Sequence, residues 1–360
     1  MRVIGALGIL AALLVMVGLA MAGPALAGQS AAPSKAPPPG TGQRFEIPIR
    51  TIILPYGDLR YSIPIIIGGT TVNAMLDTGS PGLRILARAL PAAAITGKSG
   101  PVQTVAYGAG DVLAGPVVRF DAKFGPATPV TTIPAQIVIA YQCTASHPNC
   151  PASLLHPEEY KIGGERVDGF GYDAIIGVEM PQPGAHPQPV PNPLTVFARR
   201  WIVTLPMPDD DTSGKIIVNP STEELRGFTL YPLDPKLKDT YNTLDDAIMA
   251  CLKVGNLQQF CAPTTLDSGA PAFMAYSDNV VRPGFFQDAS PVELTFVNPH
   301  GVPDSFRFAA SPYPASRVLI LPLPQGQPNH IAAGLLPFQY YSVLYDMDDN
   351  AIGLRPRVKS

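Results

Sequence analysis

Two short acidic turns, one in each half of the chain, hold the residues best suited to chemistry. Asp77-Thr-Gly follows the apolar run Ala74-Met-Leu, and Asp267-Ser-Gly follows Thr265-Leu. An apolar run that leads into an acidic residue, a hydroxyl residue and a glycine is typical of a buried strand that ends in a tight turn. One such turn is ordinary. One in each half favours two halves packed face to face by pseudo-twofold symmetry, with the two carboxylates brought together.

The length of the chain indicates how many folding units to expect. The chain has 360 residues, 46% of them hydrophobic. Single cores stop growing at roughly 250 to 300 residues, so this length predicts two lobes. Charged residues make up 15% of the chain and the formal net charge is −3. Because there is no basic field to attract nucleic acid or an anionic membrane surface, we expect neither as a partner.

Proline and glycine indicate the class of fold. The 42 prolines and 33 glycines interrupt nearly every apolar run before it reaches helical length. Such interruption favours many short strands joined by turns. The sequence therefore predicts an all-β protein.

The N-terminal segment is typical of an exported protein. A basic residue precedes an apolar run over residues 3–22, and Ala25-Leu-Ala offers a small-residue cleavage site. We predict a signal peptide over residues 1–27; the apolar run approaches spanning length, so an uncleaved membrane anchor is the alternative. Residues 28–43 are rich in proline and alanine and predict a disordered tether. The folded part is expected to be periplasmic or secreted, either free or tethered by this segment.

The chain contains four cysteines, Cys143, Cys150, Cys251 and Cys261. An even number of cysteines in an exported chain predicts disulfides. Four cysteines allow three pairings, and the two short spacings favour Cys143 with Cys150 and Cys251 with Cys261. A zinc site is the alternative, but neither spacing matches a zinc motif and the five histidines show no helical ligand spacing. We therefore expect no metal.

Two further segments of the first half have patterns that suit a cleft. The run Val105-Ala-Tyr107 is followed by alternating glycines, which favours a mobile hairpin with an aromatic tip. A plain surface hairpin would have the same pattern. The segment Asp173-Ala-Ile-Ile-Gly-Val178 predicts another buried strand, closed by glycine.

From about Arg44 to Pro356 the chain resembles the pepsin-type, bilobal aspartic proteases. The resemblance implies an N-terminal β-lobe over residues 44–190 and a C-terminal β-lobe over residues 191–360, with a cleft between them. Six segments carry it, in the family's order: Gly69-Thr-Thr-Val-Asn-Ala-Met-Leu-Asp-Thr-Gly-Ser80 as the first catalytic turn, Tyr107-Gly-Ala-Gly110 as the flap, Asp173-Ala-Ile-Ile-Gly177, residues 201–218, residues 224–231, and residues 340–354 as the closing hairpin. Thr265-Leu-Asp-Ser-Gly-Ala270 is the second copy of the catalytic turn.

The resemblance also implies the chemistry of the two turns. Asp77 and Asp267 would be the catalytic pair and would share one proton, because two carboxylates a few ångströms apart cannot both ionise comfortably. The ionised member would take a proton from a water that attacks the scissile carbonyl, while the protonated member polarises that carbonyl. No cofactor or metal is needed. The remaining implied roles are substrate binding by Gly79, Tyr107, Gly108 and Gly269, and support by Thr78, Ser80 and Ser268.

The chain departs from the family pattern at several places. Ala270 stands where many members have a second hydroxyl, whereas Ser80 keeps the first. Without that hydrogen bond Asp267 is expected to hold its proton more tightly, which predicts a less acidic activity optimum. Arg84 stands where the family usually has a tryptophan that steadies the flap tyrosine, so the flap is expected to differ. The short tether leaves no room for a basic inhibitory prosegment, and no zymogen form is expected.

Two classes of function follow from the sequence. The first is an exported, monomeric aspartic endopeptidase that cleaves extended polypeptides between bulky apolar residues. The second is a pepsin-fold protein that kept the cleft without turnover and acts as an inhibitor or as a wall-binding or peptide-binding module, since a fold does not guarantee chemistry. The presence of both Asp77 and Asp267 favours the first.

Overall fold

Short strands make up most of the regular structure, as the density of proline and glycine predicts. The all-β class is confirmed, because the helices within the described residues are only three to five residues long. The predicted signal peptide and nearly all of the predicted tether lie outside the described residues. This computed structural model describes residues 42–55, 57–164, 170–184, 188–207, 214–233, 246–278, 284–286, 288–298, 301–323 and 327–357.

The elements are numbered in chain order. Within the described ranges, every helix is too short to span a bilayer. The strands are β1 (Phe45–Pro48), β2 (Arg50–Ile53), β3 (Leu59–Ile67), β4 (Thr70–Asp77), β5 (Pro81–Leu86), β6 (Val102–Ala106), β7 (Asp111–Lys123), β8 (Thr131–Val138), β9 (Ala140–Cys143), β10 (Ala174–Val178), β11 (Arg200–Thr204), β12 (Lys215–Val218), β13 (Thr229–Pro232), β14 (Ile248–Val254), β15 (Phe260–Thr265), β16 (Phe273–Ser277), β17 (Gly284–Phe286), β18 (Pro291–Phe296), β19 (Ser305–Ala309), β20 (Val318–Pro322), β21 (His330–Ala332), β22 (Tyr341–Asp346) and β23 (Ala351–Pro356). The helices are α1 (Ala92–Ile95), α2 (Pro151–Leu154) and α3 (Leu336–Tyr340), with 3₁₀ turns at Ala87–Ala89, Pro193–Val196 and Pro314–Ser316.

The first half of the chain forms a nine-stranded sheet. Its strand order is β2-β3-β4-β10-β5-β8-β7-β6, with β9 paired to β7 and a second pairing of β3 with β7 that curls the sheet. Strand β10 is inserted between β4 and β5, so that Gly177 lies beside both Asp77 and Gly82. A Cβ atom on Gly177 would lie 2.2 Å from the backbone oxygen of Ser80. Glycine is therefore required where the chain after the first acidic turn passes β10.

An eight-stranded sheet from the second half repeats this arrangement. Its strand order is β17-β20-β16-β21-β15-β14-β18-β19. Strand β21 is inserted between β15 and β16, parallel to β15 and antiparallel to β16, just as β10 is inserted between β4 and β5. The acidic turns follow β4 and β15, so each turn leaves its own sheet at the equivalent place.

A six-stranded sheet combines strands from the beginning, the middle and the end of the described chain. Its order is β1-β12-β11-β22-β23-β13. Trp201 of β11 stacks on Tyr345 of β22 with ring centroids 5.5 Å apart, and both side chains are buried. The hydroxyl end of Tyr345 lies beside Thr78. This sheet therefore packs against the first acidic turn.

One hydrophobic core joins the three sheets. It includes Ile63 and Leu76 from the first sheet, Phe273 and Ile331 from the second, and Val343 from the third, and none of these side chains is exposed. Burial of one such side chain contributes about 1.5–3 kcal/mol. Because the core is continuous and close-packed, the two acidic turns hold a defined position relative to one another.

Candidate active site

Each acidic turn orients its own carboxylate with a backbone donor. Asp77 is the last residue of β4, and Asp267 lies two residues beyond the end of β15. The Gly79 N–H donates to Asp77 Oδ1 at 2.8 Å, and the Gly269 N–H donates to Asp267 Oδ1 at 2.7 Å. The same local bond therefore forms twice, once in each half, and it fixes both side chains.

The hydroxyl residues Thr78 and Ser268 join the two turns by reciprocal hydrogen bonds. The Thr78 hydroxyl donates to the Leu266 carbonyl at 2.6 Å and accepts from the Ser268 N–H at 2.8 Å. The Ser268 hydroxyl donates to the Leu76 carbonyl at 2.9 Å and accepts from the Thr78 N–H at 3.0 Å. Both residues are fully buried. We call these four bonds the turn clasp.

The turn clasp predicts a measurable loss of stability when one hydroxyl is removed. Thr78→Val keeps the side-chain shape but leaves the Ser268 N–H and the Leu266 carbonyl buried without partners, at about 1–3 kcal/mol for each group. Because two groups lose their partners, we expect the free energy of unfolding to fall by about 2–4 kcal/mol. Denaturant titration measures this loss.

A matched control is available on β15. Thr264 is also fully buried, but its hydroxyl makes one bond within its own strand, to the Ala262 carbonyl at 3.1 Å. Thr264→Val is expected to cost no more than about 1 kcal/mol. Ser268→Ala removes the other two bonds of the clasp, to the Leu76 carbonyl and from the Thr78 N–H, and should carry a similar cost of about 2–4 kcal/mol. Equal costs for Thr78→Val and Thr264→Val would contradict the clasp.

The carboxyl group of each turn lies against the glycine of the opposite turn. A Cβ atom built on Gly79 would be 2.5 Å from Asp267 Cγ, and one on Gly269 would be 2.8 Å from Asp77 Oδ1. Because Gly79 and Gly269 have no side chains, there is space for Asp77 and Asp267 to approach one another. We call these two residues the dyad.

The proton affinity of Asp267 reflects this approach. Burial raises the pKa of Asp267 well above its ordinary value of 3.8, and the charge of Asp77 and a hydrogen bond between the two carboxyls raise it further. The N–H groups of Gly269 and Ala270 act in the opposite direction. Asp267 is partly exposed because it lines a cavity, and protein atoms enclose its carboxyl group on the other sides.

The two members of the dyad differ in one hydrogen bond. The Ser80 hydroxyl donates to Asp77 Oδ2 at 2.5 Å. At the equivalent place Ala270 has no hydroxyl, and its N–H donates to Asp267 Oδ1 at 3.2 Å. Hydrogen bonds to a carboxylate favour its charged form. Asp267, which lacks this donor and has a raised pKa, therefore holds its proton tightly.

This asymmetry predicts the effect of restoring the hydroxyl. Ala270→Thr would give Asp267 Oδ2 the donor that Ser80 gives to Asp77, and so would lower the pKa of Asp267. For the peptide hydrolysis that the sequence predicts, we expect the pH profile of kcat/KM to move towards acid by about half to one pH unit. Ala272→Thr, which adds a hydroxyl on the same cleft wall away from the turn, is the comparison. An unmoved profile in Ala270→Thr would contradict this account.

The hairpin made of β6 and β7 carries Tyr107 at its tip. The Tyr107 N–H donates to the Asp111 carbonyl and the Gly110 N–H donates to the Tyr107 carbonyl, both at 2.9 Å. Gly110 has a φ of +94°, a left-handed conformation that favours glycine. Gly108 is exposed and has open space around its Cα. The Tyr107 hydroxyl is buried near Ser80 and Arg84, and burial raises the pKa of Tyr107 to about 12.

A cavity of about 330 Å³ is lined by both members of the dyad and by Tyr107. This volume lies at the lower end of the range of about 300–1,000 Å³ that is typical of ligand pockets. Its other lining residues are mostly apolar or aromatic, and they are Met75, Gly79, Gly108, Ala109, Asp111, Leu113, Pro151, Tyr160, Ile162, Gly163, Gly269, Ala270, Pro271, Ala272, Met274 and Tyr276.

Both predicted disulfides are confirmed, and each lies next to an element of the site. The Cys143–Cys150 bond has a Cα–Cα distance of 5.5 Å, and Cys143 pairs with Asp111 at the start of β7. The Cys251–Cys261 bond joins β14 to β15, the strand that leads to Asp267. Each disulfide therefore restrains a segment that contributes to the cavity, the start of β7 in one case and the strand before Asp267 in the other.

The structure brings the predicted residues Asp77, Asp267 and Tyr107 to one cavity, but much of the cavity wall was not predicted from the sequence. Met75 and the neighbouring pair Tyr160 and Ile162 come from separate parts of the first half, and no motif links the two places. The same holds for Tyr345, which lies beside Thr78. Met75 alone had a usable signal, because alternation along β4 places it two residues before Asp77 on the same face of the strand.

Comparison with protein families gives one match. A model of the family described as Protein of unknown function (DUF3443) matches residues 66–192. The match covers about a third of the chain. It contains the first acidic turn and the Tyr107 hairpin but not the second turn. None of the curated proteins matches the chain.

The expected membership of the pepsin-type family is therefore wrong: the matching family is DUF3443. Of the segments that suggested it, the Asp77 turn, the Tyr107 hairpin tip and Asp173-Ala-Ile-Ile-Gly177 lie inside the DUF3443 match, and the others lie beyond it. The physical reason for the error is that the segments encode local shapes. They describe a carboxylate turn and an aromatic hairpin tip, which any chain that builds such features can contain. The contacts of the dyad do not depend on the family assignment.

Proposed function

We propose that this protein is an aspartic endopeptidase, which hydrolyses peptide bonds with a water activated between Asp77 and Asp267. The turn clasp carries this proposal, because it brings two carboxyls together at the floor of a cavity. The proposal includes two β-lobes of the acid-protease type that face one another across a cleft. It also includes export from the cytoplasm, because the two disulfides are of a kind that persists in oxidising compartments.

The asymmetry of the dyad assigns the two roles in the reaction. Ionised Asp77 takes a proton from the water, whose oxygen attacks the scissile carbonyl carbon. Protonated Asp267 gives its proton to the carbonyl oxygen, so the intermediate is a neutral tetrahedral diol. The proton then held by Asp77 passes to the amide nitrogen as the C–N bond breaks, and a diol proton returns to Asp267. The dyad ends the cycle with one proton, as it began.

The cavity supports an extended peptide as the substrate. The apolar side chains of Met75, Leu113 and Ile162 line the cavity from the first half of the chain. Pro271 and Met274 line it from the second half. Apolar walls around a buried polar centre stabilise a bulky apolar side chain and exclude water from the reacting groups. We therefore expect cleavage next to bulky apolar residues, with the Tyr107 hairpin closing over the bound chain.

The test is digestion of an unfolded, unrelated protein between pH 3 and pH 7, with the products identified by mass spectrometry. The control preparation carries both Asp77→Asn and Asp267→Asn and is purified in the same way. We expect peptides with bulky apolar residues at the new termini from the native protein and none from the control. Identical peptide maps would overturn the proposal. Retention of intact peptides without cleavage by the native protein would favour a binding protein instead.

A further inference from the structure

Arg84 is a buried cation for which the proposed reaction has no use. It lies on β5, between β10 and β8, where its neighbours across the sheet are Ile175 and Gln136. Its side chain is only 6% exposed. Among the described residues no carboxylate pairs with it, and its Nε atom is buried without a hydrogen-bond partner. A guanidinium stays protonated at all ordinary pH values, so the charge is permanent.

Burying an unpaired guanidinium is costly, and an apolar side chain of similar length would fill the same space more stably. The contacts of Arg84 show what opposes this cost. Its Nη1 atom donates to the Pro81 carbonyl at 2.7 Å and lies 3.4 Å from the Gly82 carbonyl. Its guanidinium carbon is 5.8 Å from the centroid of the Tyr107 ring. Arg84 thus touches both the chain that leaves the first acidic turn and the tip of the Tyr107 hairpin.

We infer that Arg84 is a positioning residue that holds Tyr107 over the dyad by a cation–π contact. An aromatic face attracts a cation most strongly where water is excluded, as it is at this site. The contact places the Tyr107 hydroxyl near Ser80, which in turn donates to Asp77. Arg84 therefore stabilises the closed position of the hairpin relative to an open one, in which water would reach the guanidinium. Its importance for turnover rests on the proposed function.

Hydrogen exchange tests the contact without any assay of activity. Arg84→Met removes the charge at similar length, and we expect the Tyr107 and Gly110 amides to exchange about tenfold faster. Global stability should stay the same or rise, because a buried unpaired charge is lost. A purely structural role predicts the reverse pattern, with lower global stability and no selective change in the hairpin. Arg84→Lys, which keeps a cation, should restore part of the protection, and Arg84→Gln replaces Arg84→Met if the latter does not fold.

The partner of Arg84 is identified by changing Tyr107 in the same experiment. In a Tyr107→Phe background the ring remains, so Arg84→Met should still accelerate exchange about tenfold. In a Tyr107→Leu background the ring is gone, and Arg84→Met should change exchange less than twofold. Unchanged exchange in Arg84→Met, or the same acceleration in the Tyr107→Leu background, would overturn the inference.

Kinetics separate this inference from the proposed function. If proteolysis depends on the dyad, Arg84→Met should lower kcat/KM about tenfold in the native and Tyr107→Phe backgrounds and less than twofold with Tyr107→Leu. An equal loss in all three would overturn the positioning role. If proteolysis does not depend on the dyad, the proposed function fails, and the exchange experiment still decides whether Arg84 holds Tyr107.

Discussion

Replacing either member of the dyad with asparagine is expected to lower kcat/KM for peptide hydrolysis by at least about 10³-fold, the scale of general acid–base catalysis. In the proposed mechanism Asp77 takes the proton from water, and Asp77→Asn removes this group. Asp267→Asn keeps a neutral group that can donate a hydrogen bond to the substrate carbonyl, but that group cannot pass a proton on. We therefore expect Asp77→Asn to be the less active of the two variants.

The two variants should also differ in folding stability. Because the pKa of Asp267 is raised in the folded state above its ordinary 3.8, its protonated form is favoured by folding. Its contribution to stability is fully present below pH 3.8 and is lost as the pH rises through the raised value. Asp267→Asn cannot ionise, so this loss should be absent, as urea titrations at pH 3.5 and pH 7 would reveal. A variant that follows the native pH dependence, or that retains most of the native activity, would contradict the assigned dyad.

Alanine in place of Gly79 or Gly269 is expected to lower kcat/KM by at least about 100-fold, because a misplacement of about 1 Å is enough for such a loss. The new methyl carbon would lie 2.5 Å from Asp267 Cγ in Gly79→Ala, or 2.8 Å from Asp77 Oδ1 in Gly269→Ala. Both distances are shorter than the contacts that a Cβ atom makes with other heavy atoms in proteins. Neither glycine has a positive φ, so the cost comes from contact with the dyad and not from backbone strain. Overpacking of this kind also costs about 1–3 kcal/mol of stability.

Gly284 provides the matched control for these substitutions. It has an ordinary φ and nothing within 4 Å of its would-be Cβ atom, and it lies on β17 at the edge of the eight-stranded sheet. Gly284→Ala should leave both the activity and the stability nearly unchanged. Full activity in Gly79→Ala or Gly269→Ala would mean that the two carboxyls are not held against the opposite turns. Steady-state kinetics and denaturant titration on the three variants give the comparison.

The acidic turns were predictable from the sequence because their chemistry is local. A strand that runs into Asp, a hydroxyl residue and glycine forms its own hydrogen bond from the glycine N–H to the carboxylate, and this bond is present at both Asp77 and Asp267. The disulfides were predictable for the same reason, since Cys143–Cys150 and Cys251–Cys261 close short loops. The all-β class followed from the density of proline and glycine. The family did not follow, because short motifs that encode a local shape are not specific to one family.

Contacts between distant segments could not be predicted in this way. Arg84 is seven residues from Asp77, and the resemblance indicated only that it replaces a tryptophan near the hairpin tip. The cation–π contact, with the guanidinium carbon 5.8 Å from the centroid of the Tyr107 ring, comes from the structure. The cavity wall, which joins Met75 with Tyr160 and Met274, likewise depends on how strands from different sheets pack.

The sequence by itself determined that the chain forms short strands, two acidic turns and two short disulfide loops, because each depends on residues that are near one another along the chain. The absence of a hydroxyl at position 270 also predicted that Asp267 holds its proton more tightly. Only the tertiary structure decided which four bonds join Thr78 and Ser268 across the turns, and that burial is the main cause of the raised pKa of Asp267. The physical reason is that both properties depend on burial and on partners about 190 residues away. These are set when the core packs, and local sequence does not encode them.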